Sequence, residues 1–124
     1  MVSSDMVNSP LPDAWRETAE RLCAVLHTEA TRLGGGPLPG ILLRDAVFCE
    51  IVDRASDLPG YEGTWRNPQG SRCGSLIINS DGSYYAEYDV LALHPDKPNW
   101  FVEAVTAWGR DGVVKTEPRL LAAV

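Results

Sequence analysis

The sequence predicts an α+β fold in which two N-terminal helices pack on one face of a four- to five-stranded antiparallel meander. Three observations carry this. Apolar residues recur at helical spacing from Pro10 to Leu33 and again from Asp45 to Leu58. Beyond Pro59-Gly60 the composition changes to short runs rich in Trp, Tyr, Val and Ile. Turn residues separate these runs, and a block of helices followed by a block of strands is the α+β pattern.

In the first helical segment Trp15, Ala19, Leu22, Cys23, Leu26, Ala30 and Leu33 form one stripe, with Arg16, Glu17, Glu20, Arg21 and Glu29 facing away. Ser9 is placed to act as N-cap, both prolines fall in the first turn, and Gly34-Gly35-Gly36 supplies the stop. The run GGGPLPG, Gly34 to Gly40, lacks the Lys and Ser/Thr that complete a phosphate-binding loop, so it is a connector. In the second segment Val47, Phe48, Ile51, Val52, Ala55 and Leu58 form a stripe against Glu50, Asp53, Arg54 and Asp57, with Asp45 as cap. A buried strand over Ala46 to Val52 competes, since β-branched residues are frequent there, but the charge spacing favours helix.

The expected strands are Tyr61–Arg66, Ser71–Asn79, Ser83–Leu93, Trp100–Gly109 and Val113–Thr116, in sequential order. Asp81-Gly82 and Asp111-Gly112 read as two-residue hairpin loops, because their positive φ angles cost little for Gly, Asn and Asp. Glu117-Pro118 should end the last strand, as proline donates no ladder hydrogen bond. The domain therefore spans 9–118, between a flexible tail at 1–8 and a C-terminal tail at 119–124.

Length and charge bound the function. A chain of 124 residues supports one core. A net charge of −6 opposes binding to a phosphate backbone, so no nucleic-acid partner is expected. The first ten residues lack a signal peptide's basic start and apolar run, and no run of about 18 apolar residues occurs, so no membrane partner and a cytoplasmic location are expected. Cys23, Cys49 and Cys73 are too far apart for a CxxC metal site and odd in number, which predicts small buried hydrophobes without metal or other cofactor. His27 reads as a partly buried helix residue bonded to a neighbour, and His94 as a solvated turn residue. Arg66, Arg72, Arg110 and Arg119 are expected to pair across strands with Glu62, Glu87 or Glu103.

The candidate site lies on the fourth run. A two-residue loop at Asp81-Gly82 would set Ile78 opposite Tyr85, Leu76 opposite Glu87 and Gly74 opposite Asp89. Tyr85, Glu87, Asp89, Leu91 and Leu93 would then share one face, with the helices covering Cys73, Ser75, Ile77, Tyr84, Ala86, Tyr88 and Val90. If Leu93 opposes Trp100, then Trp100, Val102, Ala104, Thr106 and Trp108 join the acids. The candidate binding residues are therefore Tyr85, Glu87, Asp89, Trp100 and Trp108. A mixed aromatic and acidic sheet face is suited to contact with a protein partner or to a homo-oligomer. The alternative is a small-molecule ligand site, or a catalytic pocket in a curled sheet, in which Glu87 or Asp89 serves as acid or base. No catalytic motif occurs in the chain, so a small non-enzymatic domain is the leading expectation. Size and acidity alone, with no residue-level motif behind them, suggest the small bacterial inhibitor or immunity proteins that occlude a basic enzyme.

Overall fold

A computed structural model describes residues 11–34, 41–53 and 57–123. The expected tail at 1–8, the cap at Ser9 and nearly all of the glycine connector lie outside the described residues. Among those residues the chain forms one α-helix, α1 (Asp13–Arg32), and six strands: β1 (Val47–Asp53), β2 (Leu58–Arg66), β3 (Arg72–Asn79), β4 (Ser83–Leu93), β5 (Trp100–Arg110) and β6 (Val113–Ala122). The strands make one antiparallel sheet in sequential order β1-β2-β3-β4-β5-β6. The α+β class and the antiparallel meander hold, but with one described helix and six strands.

The helix follows its apolar spacing. Ala19, Leu22, Cys23, Leu26 and Ala30 are buried on one stripe, and Asp13 sits in the first turn where a carboxylate favours the helix dipole. Burial pushes the Cys23 thiol up to about 12, so this cysteine is the inert core residue expected. Gly34 takes a left-handed φ of 87° and its N–H reaches the Thr31 carbonyl at 3.3 Å, ending the helix at the predicted place. The His27 Nδ1, by contrast, is buried without a hydrogen-bond partner among the described residues.

The second predicted helix does not form among the described residues. Leu43–Asp45 forms a single 3-10 turn, and Val47–Asp53 is an edge strand paired from Val47↔Thr64 to Asp53↔Leu58. Val47, Phe48, Ile51 and Val52 make one stripe on a helix but divide between the two faces of a strand. Pairing with β2 decides for strand, burying Phe48 while Val47 and Cys49 face out. Pro59-Gly60 accordingly lies inside β2 rather than before it.

The last strand does not stop at Glu117-Pro118. β6 continues to Ala122, so residues expected in a C-terminal tail pair with β5 as Ala104↔Arg119 and Val102↔Leu120. Proline is tolerated because β6 is an edge strand, where an inward-facing N–H is not required at every residue.

The two Asp-Gly turns differ. Arg110 pairs with Val113, so Asp111-Gly112 is the predicted two-residue loop, with φ of 53° and 86°. At the other turn Ile78 pairs with Tyr84, one residue short of the expected register. The loop therefore holds Ser80, Asp81 and Gly82. Gly82 takes φ 90° and donates to the Asn79 carbonyl at 3.0 Å, while the Asp81 carboxylate accepts from the Ser83 N–H at 3.0 Å and its hydroxyl at 2.6 Å. These bonds, led by the hydroxyl, hold the Asp81 carboxyl below its ordinary range, and Arg110 at 2.7 Å adds to the effect. That local network favours a turn followed by a bulge over the two-residue form.

One extra loop residue exchanges the faces of β3. Leu76 and Ile78, expected beside the acids, are fully buried beneath α1, whereas Ile77 is only half-buried. β4 keeps its expected sides, with Tyr84 and Ala86 buried in the core. The helix packs chiefly over β3 to β6. The core gathers Leu22, Leu26, Leu33, Leu76, Ile78, Val102 and Val105, with Tyr84 donating to the Val113 carbonyl at 2.6 Å. Tyr88 lies flat across Gly74, where an added Cβ would come within 2.5 Å of the ring, and its centroid is 5.8 Å from that of Trp65. No described helix is long and apolar enough to cross a membrane.

Candidate functional site: the open face of the sheet

Opposite the helix, the face of β4 to β6 has no covering layer among the described residues. The pairs Tyr85↔Trp108, Glu87↔Thr106 and Asp89↔Ala104 place four of the five candidate residues on it, in the register expected from the sequence. Ala104 and Thr106 are buried here because they are short. Rows of longer side chains stand on either side of them: Tyr85, Glu87 and Asp89 on β4, and Glu117 and Arg119 on β6. The Thr106 hydroxyl donates to the Glu117 carbonyl at 2.8 Å and that of Thr116 donates to the Thr106 carbonyl at 2.8 Å, fixing β6 against β5. Tyr85, Thr106, Trp108, Glu117, Pro118 and Arg119 enclose a groove of about 320 Å³.

Trp100 is not brought to this face. Two bulges intervene, one between Asp89 and Ala92 on β4 and one between Val102 and Ala104 on β5. Beyond them Ala92 pairs with Val102 and Leu93 with Phe101, so β4 keeps its alternation while the sides of β5 are exchanged relative to the acids' register. Val102 is fully buried in the core, and alternation puts Trp100, 41% exposed, on that same side at the end of the sheet. Leu93, Phe101 and Leu121 take the places on the open side. Leu91, 61% exposed, sits at the first bulge with a left-handed φ of 55°, a conformation that costs a branched residue of order 1 kcal/mol.

The charges form a small network. Arg119 donates from Nε to Glu103 at 2.6 Å and lies 3.5 Å from Glu87, while the Tyr85 hydroxyl donates to Glu87 at 3.2 Å. One guanidinium thus pairs with the carboxylates of Glu87 and Glu103, and acts on the third, Asp89, only through its charge. Partial burial raises the Asp89 carboxyl above its ordinary range, and the Glu87 charge adds to this while Arg119 opposes it. Burial and the Glu87 carboxylate likewise raise the Tyr85 phenol. Arg119 pairs with both Glu87 and Glu103 and Arg72 with Glu62 at 3.3 Å, so the expected cross-strand pairing holds for these two; Arg110 instead takes Asp81 in the β3–β4 turn, and Arg66 donates to the Gly70 carbonyl at 2.9 Å.

Arg119, Glu103 and Leu121 escaped the sequence-based site. Glu103 reaches the open face only through the bulge, which no local signal announces. Arg119 and Leu121 lie beyond the proline expected to end the last strand, although Val114, Thr116, Pro118 and Leu120 alternate in the manner of a strand that continues through it.

Among the described residues no three His, Cys, Asp or Glu side chains are grouped so as to hold a metal ion. His94 is not the solvated turn residue expected. It is 9% exposed, and its Nδ1 accepts from the N–H groups of Asp96 at 3.0 Å and Lys97 at 3.2 Å, closing the β4–β5 connection. No protein family, curated protein or solved structure matches this chain.

Proposed function

We propose that the chain is a small non-enzymatic domain that acts by protein contact, through self-association or with a partner chain, on the open face of β4 to β6. The observation that carries this is the composition of that face. Leu93 at 63% exposure and Leu121 at 48% flank Phe101 at one end of that face, Tyr85 at 39% pairs with Trp108 at the other, and the Glu87, Asp89, Glu103 and Arg119 network lies between them. Exposed apolar side chains bordered by charge favour burial against another surface, and Tyr and Trp contribute large contact area with few rotatable bonds. The full chain and its Trp108→Ala and Leu93→Ser variants, compared by sedimentation and by capture of identified partners at matched loading, test this. Loss of complex with an unchanged melting temperature is expected. Complexes that survive both substitutions intact contradict the proposal.

One observation supports a second reading, a small-ligand site. The groove between Tyr85, Trp108 and Arg119, at about 320 Å³, falls at the lower end of the size range of ligand pockets, and Glu87 stands at its margin. A metabolite screen by thermal shift checks it, because a ligand that binds only the native state raises the melting temperature. Any stabilisation found should disappear in Glu87→Gln, and a screen without stabilisation removes this reading.

A further inference from the structure

The two edges of the sheet are unlike. β6 carries Lys115, Pro118 and Arg119 along its length, residues that discourage the addition of another strand. β1, VFCEIVD, has neither proline nor lysine. Val47 is 51% exposed and Val52 61%, and the Cys49 thiol is free and exposed. As the terminal strand of the sheet, β1 also keeps a row of backbone N–H and C=O groups that β2 does not use. The helix packs chiefly over β3 to β6, at the other end of the sheet.

We propose that β1 pairs antiparallel with β1 of a second copy of this chain, about a twofold axis at Cys49. The strand's own pattern selects the occupant and the register. An axis at Glu50 would set two Glu50 carboxylates directly opposite each other, which is unfavourable. An axis at Ile51 would set Cys49 against Asp53 and leave Val47 uncovered. An axis at Cys49 sets Val47 opposite Ile51, Cys49 opposite Cys49 and Ile51 opposite Val47, giving three apolar rows on the open side. On the helix side Glu50 then faces Phe48, and the pairing spans Val47 to Ile51, ending before Asp53 would come opposite Asp45 of the second copy. The interface is isologous, as a twofold contact requires. It joins two sheets edge to edge and sets their open faces side by side, so that a partner bound there would meet two copies of the surface.

This inference uses the opposite end of the sheet from the contact face above and does not rest on it. Sedimentation equilibrium of the full chain over a wide concentration range should show a monomer–dimer equilibrium. Val47→Lys, at an exposed position, should weaken dimerisation by about tenfold or more by placing a charge on the edge. Mild oxidation should yield a dimer linked through Cys49, identified by peptide mapping and lost in Cys49→Ser. A chain that is monomeric throughout, or a dimer unchanged by Val47→Lys, overturns the proposal. A dimer dissolved by Trp108→Ala but not by Val47→Lys assigns self-association to the open face and overturns the edge pairing alone. If Val47→Lys lowers the melting temperature, oxidation of the unmutated chain decides: a Cys49–Cys49 disulfide supports the pairing and its absence overturns it.

Discussion

At the scale of single residues, the open face is distinguished by an excess of carboxylates over cations. Asp89 carries the consequence: its folded-state proton affinity lies above that of the unfolded chain, so the folded state binds the proton more readily over the intervening range. Stability is therefore lost as pH rises through that range, and the penalty is fully present at neutral pH. Asp89→Asn should raise stability at pH 7, by no more than about 1 kcal/mol because the site is largely solvent-screened. The gain should vanish below about pH 3.9, the ordinary carboxylate value, where the wild-type side chain is protonated in both states. Denaturant midpoints at the two pH values measure this, and an equal gain at both would show that charge is not the cause. The residue types of this site were legible in the sequence because Tyr85, Glu87 and Asp89 share the parity of one strand. Arg119 and Glu103 were not, since their position depends on a bulge and on the neighbouring strand.

At the scale of elements, one loop residue decides which side of β3 enters the core. The observed register buries Leu76 completely and leaves Ile77 half-exposed, whereas a two-residue loop would reverse them. Leu76→Ala should cost about 2–5 kcal/mol as a cavity in a packed core. Ile77→Ala should cost less than about 1.5 kcal/mol, since much of its side chain keeps contact with water in either state. Urea unfolding of the two variants gives the comparison, and the opposite ranking would restore the shorter loop. Strand order was legible because each turn carries its own punctuation, and Asp111-Gly112 behaved as its sequence implied. Asp81-Gly82 did not, because Asp81 bonds forward to Ser83 and so stabilises a longer turn. The seven residues of β1 escaped for another reason: the adjacent pairs Val47-Phe48 and Ile51-Val52 read as one stripe on a helix, whereas in the strand they divide between its two faces, and only pairing with β2 decides between these.

At the scale of the whole molecule, one sheet is asked to do two things. Its helix-facing side is closed by Leu22, Leu26 and Leu33 over Leu76, Ile78, Val102 and Val105. Its other side is left with aromatic, aliphatic and acidic side chains in contact with water. Leu93 and Leu121 keep the outward parity of Asp89 and Arg119 there, while the register shift on β5 carries Phe101 outward and Val102 inward. A surface kept only for solubility has no need of these leucines, which is why contact with another chain is the function proposed for it. The most direct test is to replace Leu93 and Leu121 by serine together, at positions whose exposure leaves the core intact. Complexes of wild type and variant should then be compared by sedimentation and by capture of identified partners, with melting temperature as the control for folding. The proposal predicts that complexes form with the wild type and are lost in the variant at an unchanged melting temperature; complexes that persist at wild-type strength would contradict it.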